Sequence, residues 1–251
     1  MNTTHTITQP QHLVVEGNIG AGKSTFLRLI GENLHIDVVY ESTDKWQRKN
    51  EGDNLLDLFY KDTSRWAYTF QSYAFITRIQ SQLDHMRSVQ SSKPQIYERS
   101  VYCDRYCFAK NCYELGLMSA MEWHIYKEWF NWIVESYTSQ PIGFIYLQTS
   151  PEVCYERIQK RSRCEESNIP LSYLQTLHDR HEEWLVHHTE VSSWLRNIPV
   201  LVLDCNEEFE NNMAHQQKLL DQVASFIAHL QGATPAHLKI EGANRPKTAG
   251  I

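Results

Sequence analysis

The stretch from Leu13 to Thr25 constrains the fold of this chain more than any other. It reads Leu-Val-Val-Glu-Gly-Asn-Ile-Gly-Ala-Gly-Lys-Ser-Thr, so an apolar run enters a glycine-containing loop that leads into a helical pattern. A G-x-x-x-x-G-K-[ST] sequence between a strand and a helix predicts a loop whose backbone N–H groups and helix N-terminus bind phosphates. The residues predicted to bind a nucleoside triphosphate are Gly17, Asn18, Ile19, Gly20, Ala21, Gly22, Lys23, Ser24 and Thr25.

Two side chains of this loop have predicted roles of their own. Lys23 can reach the β- and γ-phosphates, and the Ser24 hydroxyl can hold Mg²⁺. The alternative is a glycine turn that happens to precede a lysine. The apolar run before the loop and the helical pattern after it favour phosphate binding.

Five short apolar runs predict strands that are buried on both faces, at residues 12–16, 37–40, 95–98, 143–148 and 199–203. Helical patterns separate them, at residues 26–34, about 54–89, 122–137, 171–195 and about 208–230. This alternation predicts an α/β fold of the P-loop NTPase type. We expect a three-layer sandwich in which a five-stranded parallel sheet has helices on both faces.

Composition limits the possible partners and compartment. A chain of 251 residues with 41% hydrophobic residues suits one domain, which we place at residues 12–230, with disordered tails at 1–11 and 231–251. A net charge of −6 argues against a nucleic-acid polymer as partner. No apolar run approaches the length of a membrane span, and residues 1–11 contain no Lys or Arg. We therefore expect a cytoplasmic protein without a membrane partner.

The thiols and imidazoles show no metal-binding spacing. The six cysteines contain no C-x-x-C pair, so we expect reduced thiols rather than disulfides or metal ligands. They are Cys103, Cys107, Cys112, Cys154, Cys164 and Cys205. The histidines at 178, 181, 187 and 188 are predicted to lie on a solvated helix face.

Charged side chains follow three of the predicted strands. The first strand leads into the phosphate loop, the second ends at Glu41, and the third ends at Glu98 and Arg99. Ligands of an open parallel sheet bind beyond the carboxyl ends of its strands, so these groups should share one crevice. Glu41 can then act as general base for an attacking hydroxyl, and Arg99 can hold that hydroxyl or the base. Glu98 is a second carboxylate, suited to a Mg²⁺ site beside Ser24.

Arg157, Arg161 and Arg163 follow the fourth strand at spacings of four and two residues. The first two share a helix face, and Arg163 precedes a charged stretch at 164–170. Arginines beside such a loop predict a lid that closes over the γ-phosphate. The alternative is an exposed basic helix end, which the helix dipole would favour.

Two helical stripes have open interpretations. Phe70, Gln71, Ala74 and Arg78 share one face of the long helix, where Gln71 could contact a base edge. Taken alone, this stripe could equally consist of residues of the hydrophobic core and its rim, with no role in ligand binding. The tryptophans at 123, 129 and 132 are predicted to be core or dimer contacts rather than ligand-stacking residues.

At these residues the chain resembles the eukaryotic-type deoxyribonucleoside kinases, over about residues 12–230. The resemblance depends on the phosphate loop, on Glu41 followed by Trp46, and on the arginine-rich lid. It also depends on three stretches: Arg-Trp-Ala-Tyr-Thr-Phe-Gln at 65–71, Glu-Arg-Ser-Val-Tyr-Cys-Asp-Arg-Tyr at 98–106 and Leu-Asp-Cys-Asn-Glu-Glu-Phe at 203–209.

The resemblance implies ATP-dependent phosphorylation of a deoxynucleoside 5′-hydroxyl, with Mg²⁺, in a homodimer built on helices near Trp123–Trp132. It implies that Glu41 is the general base, with Arg99 beside it and Glu98 near the metal. Lys23, Arg161 and Arg163 would assist transfer. The implied nucleoside-binding residues are Glu41, Trp46, Leu56, Tyr60, Phe70, Gln71, Ala74, Arg78, Arg99, Asp104, Phe108 and Glu166; among them, Tyr60 and Glu166 would hold the 3′-hydroxyl and Gln71 would read the base. Arg157 and Glu208 would bind ATP, and Arg161 and Phe209 would enclose its base.

The same resemblance suggests a base preference. Arg78 and Asp104 match the charged pair of the deoxycytidine and deoxyguanosine kinase branch, where thymidine kinases have uncharged residues. The stretches 108–111, 122–126, 143–148 and 197–204 are most similar to deoxyguanosine kinase, whereas Ala74 matches deoxycytidine kinase. We expect deoxyguanosine and deoxyadenosine to be favoured. The alternative is a deoxycytidine-preferring or broad-specificity enzyme.

Three other classes with the same loop are less consistent with the sequence. A GTPase would need N-K-x-D and D-x-x-G, which the chain lacks, and a motor ATPase would end the third strand in Asp. A nucleoside monophosphate kinase would need additional basic residues, and Glu41 would repel its acceptor phosphate.

Overall fold

The computed structural model describes residues 11–47, 54–88, 94–166 and 169–232. Almost all of both predicted tails therefore lies outside the described residues, and the domain limits at 12 and 230 remain predictions. None of the helices in these ranges is long and apolar enough to cross a membrane.

A five-stranded, all-parallel sheet forms the centre of the molecule, in the order β2-β3-β1-β4-β5. The strands are β1 His12–Glu16, β2 Asp37–Val39, β3 Gln95–Glu98, β4 Gly143–Gln148 and β5 Val200–Asp204. This confirms the predicted sheet. Because β1 lies between β3 and β4, with Val15 opposite Glu98, the phosphate loop and the end of β3 emerge side by side.

The prediction that all five strands are buried on both faces is wrong for the two edge strands. The side chains of β1 and β3 are all buried, whereas β2 is half-buried along its whole length. In β5, Val202 is 39% exposed. An edge strand has a neighbour on one side only, and fewer helices cover it.

Helices of very different lengths connect the strands. They are α1 Lys23–Leu34, α2 Asp44–Gln47, α3 Leu55–Lys61, α4 Thr63–Ser88, α5 Val101–Cys103, α6 Lys110–Glu114, α7 Ala120–Tyr137, α8 Pro151–Arg161, α9 Leu171–His181, α10 Ser193–Arg196 and α11 Met213–Leu230. Two π-helical segments, Asp104–Ala109 and Glu182–Val186, follow α5 and α9, and a 3₁₀ turn spans Cys164–Glu166.

Helices cover both faces of the sheet, as predicted. Phe144 and Ile145 are successive residues of β4, so their side chains point to opposite faces. Phe144 packs in a core with residues of α4 and α7, and Ile145 packs in a second core with residues of α1 and α11. The three-layer arrangement is therefore built from two apolar cores.

Three predicted helices have different limits, for local reasons. The stretch 54–89 is divided because the Asp62 N–H bonds to Leu58 while its carboxylate accepts the Arg65 N–H that starts α4. The last helix begins at Met213, where Asn212 accepts the N–H of His215. The predicted helix 171–195 is interrupted after the π-helical segment Glu182–Val186.

The helical region from Val101 to Glu114 was not predicted. Ser100 caps its start by accepting the Cys103 N–H, and the π-helical segment Asp104–Ala109 lies in its middle. This wider turn shifts the side-chain periodicity, so a search for a regular 3.6-residue pattern misses it. The region brings Asp104 and Phe108 to the crevice.

Candidate active site

The phosphate loop requires glycine where its backbone passes other elements. Gly20 has φ of +81°, and a Cβ there would lie 2.4 Å from the backbone oxygen of Cys154. Gly22 has φ of +94°, and its Cβ would lie 2.8 Å from the Phe209 ring. Because both positions combine left-handed backbone with close neighbours, only glycine fits without rearrangement.

Lys23 lies buried inside the loop. Its Nζ donates to the backbone oxygens of Gly17 and Asn18, at 3.1 and 2.8 Å. Burial, with a smaller effect of Arg99, lowers the pKa of Lys23 to about 8, although Glu98 and Glu41 act in the opposite direction. The ammonium group therefore lies where it can contact a bound phosphate, but it is poorly solvated by water.

The two predicted metal-binding side chains are adjacent. The Ser24 hydroxyl donates to Glu98 Oε1 at 2.8 Å, and Glu98 Oε2 accepts the Glu41 N–H at 3.3 Å. A hydroxyl and a carboxylate are oxygen ligands of the kind that Mg²⁺ takes, with water and phosphate completing its shell. The residues present therefore fit the implied ion.

Glu41 is held by two arginines. Arg78 donates from Nη1 and Nη2 to Glu41 Oε1, each at 2.8 Å, and Arg99 Nε lies 3.6 Å from Oε2. Burial alone would raise the pKa of Glu41, but Arg78, Arg99 and Lys23 together lower it below its ordinary value. Glu41 is consequently ionised at neutral pH and can accept a proton.

Arg99 adopts an unusual backbone conformation, with φ of +63°. Its N–H still bonds to Val15, while its guanidinium lies 4.8 Å from the centre of the Phe108 ring and donates to Cys103 Sγ at 3.3 Å. A left-handed conformation at a residue other than glycine costs about 1–3 kcal/mol. This conformation turns the arginine side chain from the end of β3 towards the crevice.

Arg78 also pairs with Asp104. Nε and Nη2 of Arg78 donate to the two Asp104 oxygens at 2.8 and 3.0 Å. Burial raises the pKa of Asp104 to about 6, and Arg78 opposes that shift. Asp104, Arg78 and Glu41 thus form one continuous charged chain across the crevice.

A cavity of about 360 Å³ extends from the phosphate loop between these charges and an aromatic wall. Phe70 stacks on Phe59 with ring centroids 4.7 Å apart and meets Trp46 edge-on at 5.7 Å. Every residue predicted to contact the nucleoside lines this cavity. They are Glu41, Trp46, Leu56, Tyr60, Phe70, Gln71, Ala74, Arg78, Arg99, Asp104, Phe108 and Glu166.

Comparison with known proteins agrees with this geometry. A deoxynucleoside kinase family model matches residues 13–228. The chain belongs to the deoxynucleoside kinase family. It is 42% identical to the mitochondrial deoxyguanosine kinase of Xenopus laevis over an alignment of 242 residues that covers 88% of this chain and 91% of that protein. It is 41% identical over 235 residues to deoxycytidine kinase 2 of Gallus gallus, with 85% and 89% coverage. Human deoxycytidine kinase is 37% identical over 245 residues, with 89% and 93% coverage.

The predicted lid arginines of this kinase lie in two places. Arg161 and Arg163 line the cavity and both pair with Glu166. Arg157 instead donates to Ala21 O at 3.2 Å and to Cys205 O at 2.9 Å, with its guanidinium 5.6 Å from the Phe209 ring centre.

The resemblance paired Arg161 with Phe209, and the structure places Arg157 over that ring instead. The Arg161 guanidinium instead donates a hydrogen bond to the carboxylate of Glu166, five residues further along the chain. Glu208 does not line the cavity among the described residues. Its carboxylate accepts the backbone N–H groups of Glu210 and Asn211, which orders the loop before α11.

Sequence reasoning missed several parts of the kinase site. Phe59 and Tyr173 line the cavity, and burial raises the pKa of Tyr173 well above its ordinary value. Outside the lining of this cavity, Glu16, the last residue of β1, is fully buried and accepts the Ser100 hydroxyl at 2.5 Å. The signal for Glu16 was a carboxylate at the end of a central strand. Tyr173 had no such signal, because its contacts depend on how α9 packs.

Proposed function

We propose that this kinase transfers the γ-phosphate of ATP to the 5′-hydroxyl of a deoxynucleoside. The observation that carries the proposal is the position of Glu41. Its carboxylate is ionised and lies at the wall shared by the phosphate loop and the aromatic cavity. The 5′-oxygen would attack the γ-phosphorus, the bond to the β-phosphate oxygen would break, ADP would leave, and Glu41 would take the hydroxyl proton.

Cationic side chains in this proposal neutralise the charge of the transferring group. When ATP binds, the Lys23 ammonium would donate to phosphate oxygens instead of the backbone oxygens of Gly17 and Asn18. The negative phosphate would then stabilise the charge of a poorly solvated ammonium group. Arg99 orients Glu41 and the attacking hydroxyl. Ser24 and Glu98 would hold Mg²⁺, which neutralises phosphate charge when bound.

The 3₁₀ turn and its neighbouring arginines are proposed to act as a lid. Arg161 and Arg163 both contact Glu166, and burial together with the nearby Glu166 carboxylate raises the pKa of Tyr60. Tyr60 and Glu166 both line the cavity, where they would hold one sugar hydroxyl between them. On binding of both substrates, the two arginines would turn from Glu166 to the γ-phosphate.

Deoxyguanosine and deoxyadenosine are the proposed preferred substrates, with deoxycytidine or broad specificity as the alternative. The Gln71 amide is buried, and its contact with Cys112 Sγ, at 3.7 Å, is a weak one. Its donor and acceptor are thus available to a base edge. The Arg78–Asp104 pair offers further donors and acceptors for an oxo or amino group.

We further propose a homodimer that assembles through α7. Trp129 and Trp132 are 51% and 53% exposed on this helix, and their rings contact each other at 5.9 Å. Tyr137 extends this exposed surface, with its ring 5.7 Å from Trp132. A contiguous exposed aromatic surface is typical of a protein–protein interface.

The proposed compartment is the cytoplasm. The five described cysteine side chains are buried and free of disulfides, as expected under reducing conditions.

A panel assay tests the proposed reaction. The value of kcat/KM is measured for the four deoxynucleosides with ATP and Mg²⁺, together with ATP consumption when no nucleoside is added. We expect consumption only with an acceptor, and the highest kcat/KM with a purine deoxynucleoside. Equal ATP hydrolysis without an acceptor would instead indicate a nucleotide-dependent switch or motor. The highest kcat/KM with deoxycytidine would establish the alternative preference.

A further inference from the structure

A cluster of two thiols and one imidazole lies behind the active-site crevice. Cys103, Cys107 and His181 are each 0% exposed, and one ligand atom from each lies within 4.8 Å of the other two. Residue spacing does not indicate this cluster, because Cys103 and Cys107 are four residues apart rather than three. The prediction that His181 lies on a solvated face is wrong, because α9 packs this side of its surface against β4, where His181 stacks on Tyr146.

The orientation of His181 leaves one ring nitrogen available as a ligand. Its Nδ1 lies 2.6 Å from the backbone oxygen of Leu177. A carbonyl can only accept, so Nδ1 carries a proton, and in the neutral ring Nε2 has a free lone pair. Nε2 lies 3.6 Å from Cys103 Sγ. Metal-binding histidines commonly have this arrangement, in which the second nitrogen donates to a carbonyl and fixes the ring.

A buried carboxylate lies next to the same cluster. Glu16 Oε1 accepts from Ser100, whereas Oε2 is buried and has no hydrogen-bond partner among the described residues. An unpartnered buried carboxylate oxygen is costly and requires a physical reason. A cation beside the thiols would provide one.

We propose that Cys103, Cys107 and His181 supply three of the four ligands of one zinc ion. Zinc in proteins takes four Cys, His and carboxylate ligands in a tetrahedron. With bonds of about 2.0–2.3 Å, neighbouring ligand atoms of such a tetrahedron lie about 3.3–3.8 Å apart. The Cys103–His181 separation of 3.6 Å is already in this range.

The charges of the proposed site balance. Zn²⁺ adds two positive charges and the two thiolates add two negative charges, while Arg99 donates to Cys103 Sγ at 3.3 Å. Binding is ligand exchange without oxidation or reduction. The thiol protons of Cys103 and Cys107 leave to solvent as the metal–sulfur bonds form.

Thiolate ligands favour zinc over magnesium, so this site differs chemically from the oxygen pair of Ser24 and Glu98. It would connect the helical region after β3, where Cys103 ends α5 and Cys107 lies in the π-helical segment, to α9, which is distant in sequence. The three protein ligands are all fully buried. We therefore assign it a stabilising role.

Cobalt and zinc binding to the full-length kinase test the proposal. After removal of bound metal with a chelator, the protein is titrated with Co²⁺ alone, and thiolate-to-cobalt charge-transfer absorption is recorded. The variants are Cys103→Ser and Cys107→Ser. Cys154→Ser is the matched control, because its thiol is equally buried but lies on α8. Circular dichroism shows which variants fold.

We expect one Co²⁺ per chain with thiolate absorption in the wild type and the control, and at least tenfold weaker binding in the other two variants. Zn²⁺ should raise the thermal unfolding midpoint of the wild type and the control but not that of Cys103→Ser. Absence of Co²⁺ binding to the wild type would overturn the proposal. Binding without thiolate absorption would do the same, and so would equal binding by all variants. If a serine variant does not fold, the wild-type spectrum and zinc-dependent midpoint still decide the question.

Discussion

The guanidinium of Arg78 donates two hydrogen bonds of 2.8 Å to a single carboxylate oxygen of Glu41. The same guanidinium pairs with Asp104 through two further hydrogen bonds. The group proposed to read the base is therefore also a group that holds the proposed general base. Substrate choice and proton transfer are connected through this one side chain.

Replacing Glu41 by Gln tests the base directly. The amide keeps the size of the side chain but cannot accept a proton from the attacking hydroxyl. We expect kcat to fall by about 10²-fold or more, while nucleoside affinity changes little. Steady-state kinetics and calorimetric titration with the nucleoside measure the two effects separately. Turnover close to that of the wild type would remove Glu41 from this role.

The double variant Arg78→Met, Asp104→Ala tests the charged pair. Removing one member of a buried ion pair costs about 3–5 kcal/mol because the other is left uncompensated, so the two are removed together. We expect relative kcat/KM to shift towards thymidine. Because Arg78 also contacts Glu41, absolute kcat should fall for every nucleoside, and the comparison must be made between substrates. Unchanged ratios among the four deoxynucleosides would show that this pair does not set base choice.

Much of this fold could be predicted from the apolar runs and from the residues at the strand ends. Contacts between distant segments could not be predicted in this way. The limits of β1, β3 and β4 match the apolar runs, and Glu41, Glu98 and Arg99 meet because parallel strands end at one edge. The π-helical segment Asp104–Ala109 was not predicted, since local spacing does not encode its wider turn. The burial of His181 depends on tertiary packing. The same is true of the hydrogen bonds from Arg78 to both Glu41 and Asp104.

The lowered pKa of Lys23 predicts a pH dependence of ATP binding. Bound phosphates favour the charged ammonium, so its pKa must be higher in the complex than the value of about 8 in the free protein. Affinity for ATP should be independent of this group below pH 8. Above pH 8 it should fall by about tenfold per pH unit, because binding then requires uptake of a proton. Calorimetric titrations in buffers of different ionisation enthalpy measure both the affinity and the proton uptake.

Lys23→Arg serves as the control for this pH dependence. Arginine does not titrate in this range, so the variant should bind ATP with a flatter pH profile even if its affinity is lower. If the ATP affinity of the variant and of the wild type fell equally steeply with pH, a group other than Lys23 would cause the pH dependence.

A glycine of the phosphate loop can be compared with a glycine that follows α6. Gly20 and Gly116 both have a positive φ, of +81° and +72°. A Cβ on Gly20 would lie 2.4 Å from Cys154 O, whereas a Cβ on Gly116 would have nothing within 4 Å. Both Ala variants should lose about 1 kcal/mol of stability from backbone strain. Only Gly20→Ala should also raise KM for ATP, by tenfold or more, because the loop must move. Equal KM values in the two variants would contradict the predicted loop geometry.

The proposed dimer surface on α7 can be tested with charge. Trp129→Glu together with Trp132→Glu would place two carboxylates on the exposed aromatic surface, where each partner would present them to the other. The side chains are half exposed in the single chain, so we expect the unfolding midpoint of the monomer to change little. Light scattering after size-exclusion chromatography should give a dimer for the wild type and a monomer for the variant. Met213→Glu is the control, since Met213 is 73% exposed at the start of α11, and this variant should remain dimeric. A wild type that is monomeric at micromolar concentration would exclude the proposed dimer. A double variant that stays dimeric would mean that the dimer interface lies elsewhere.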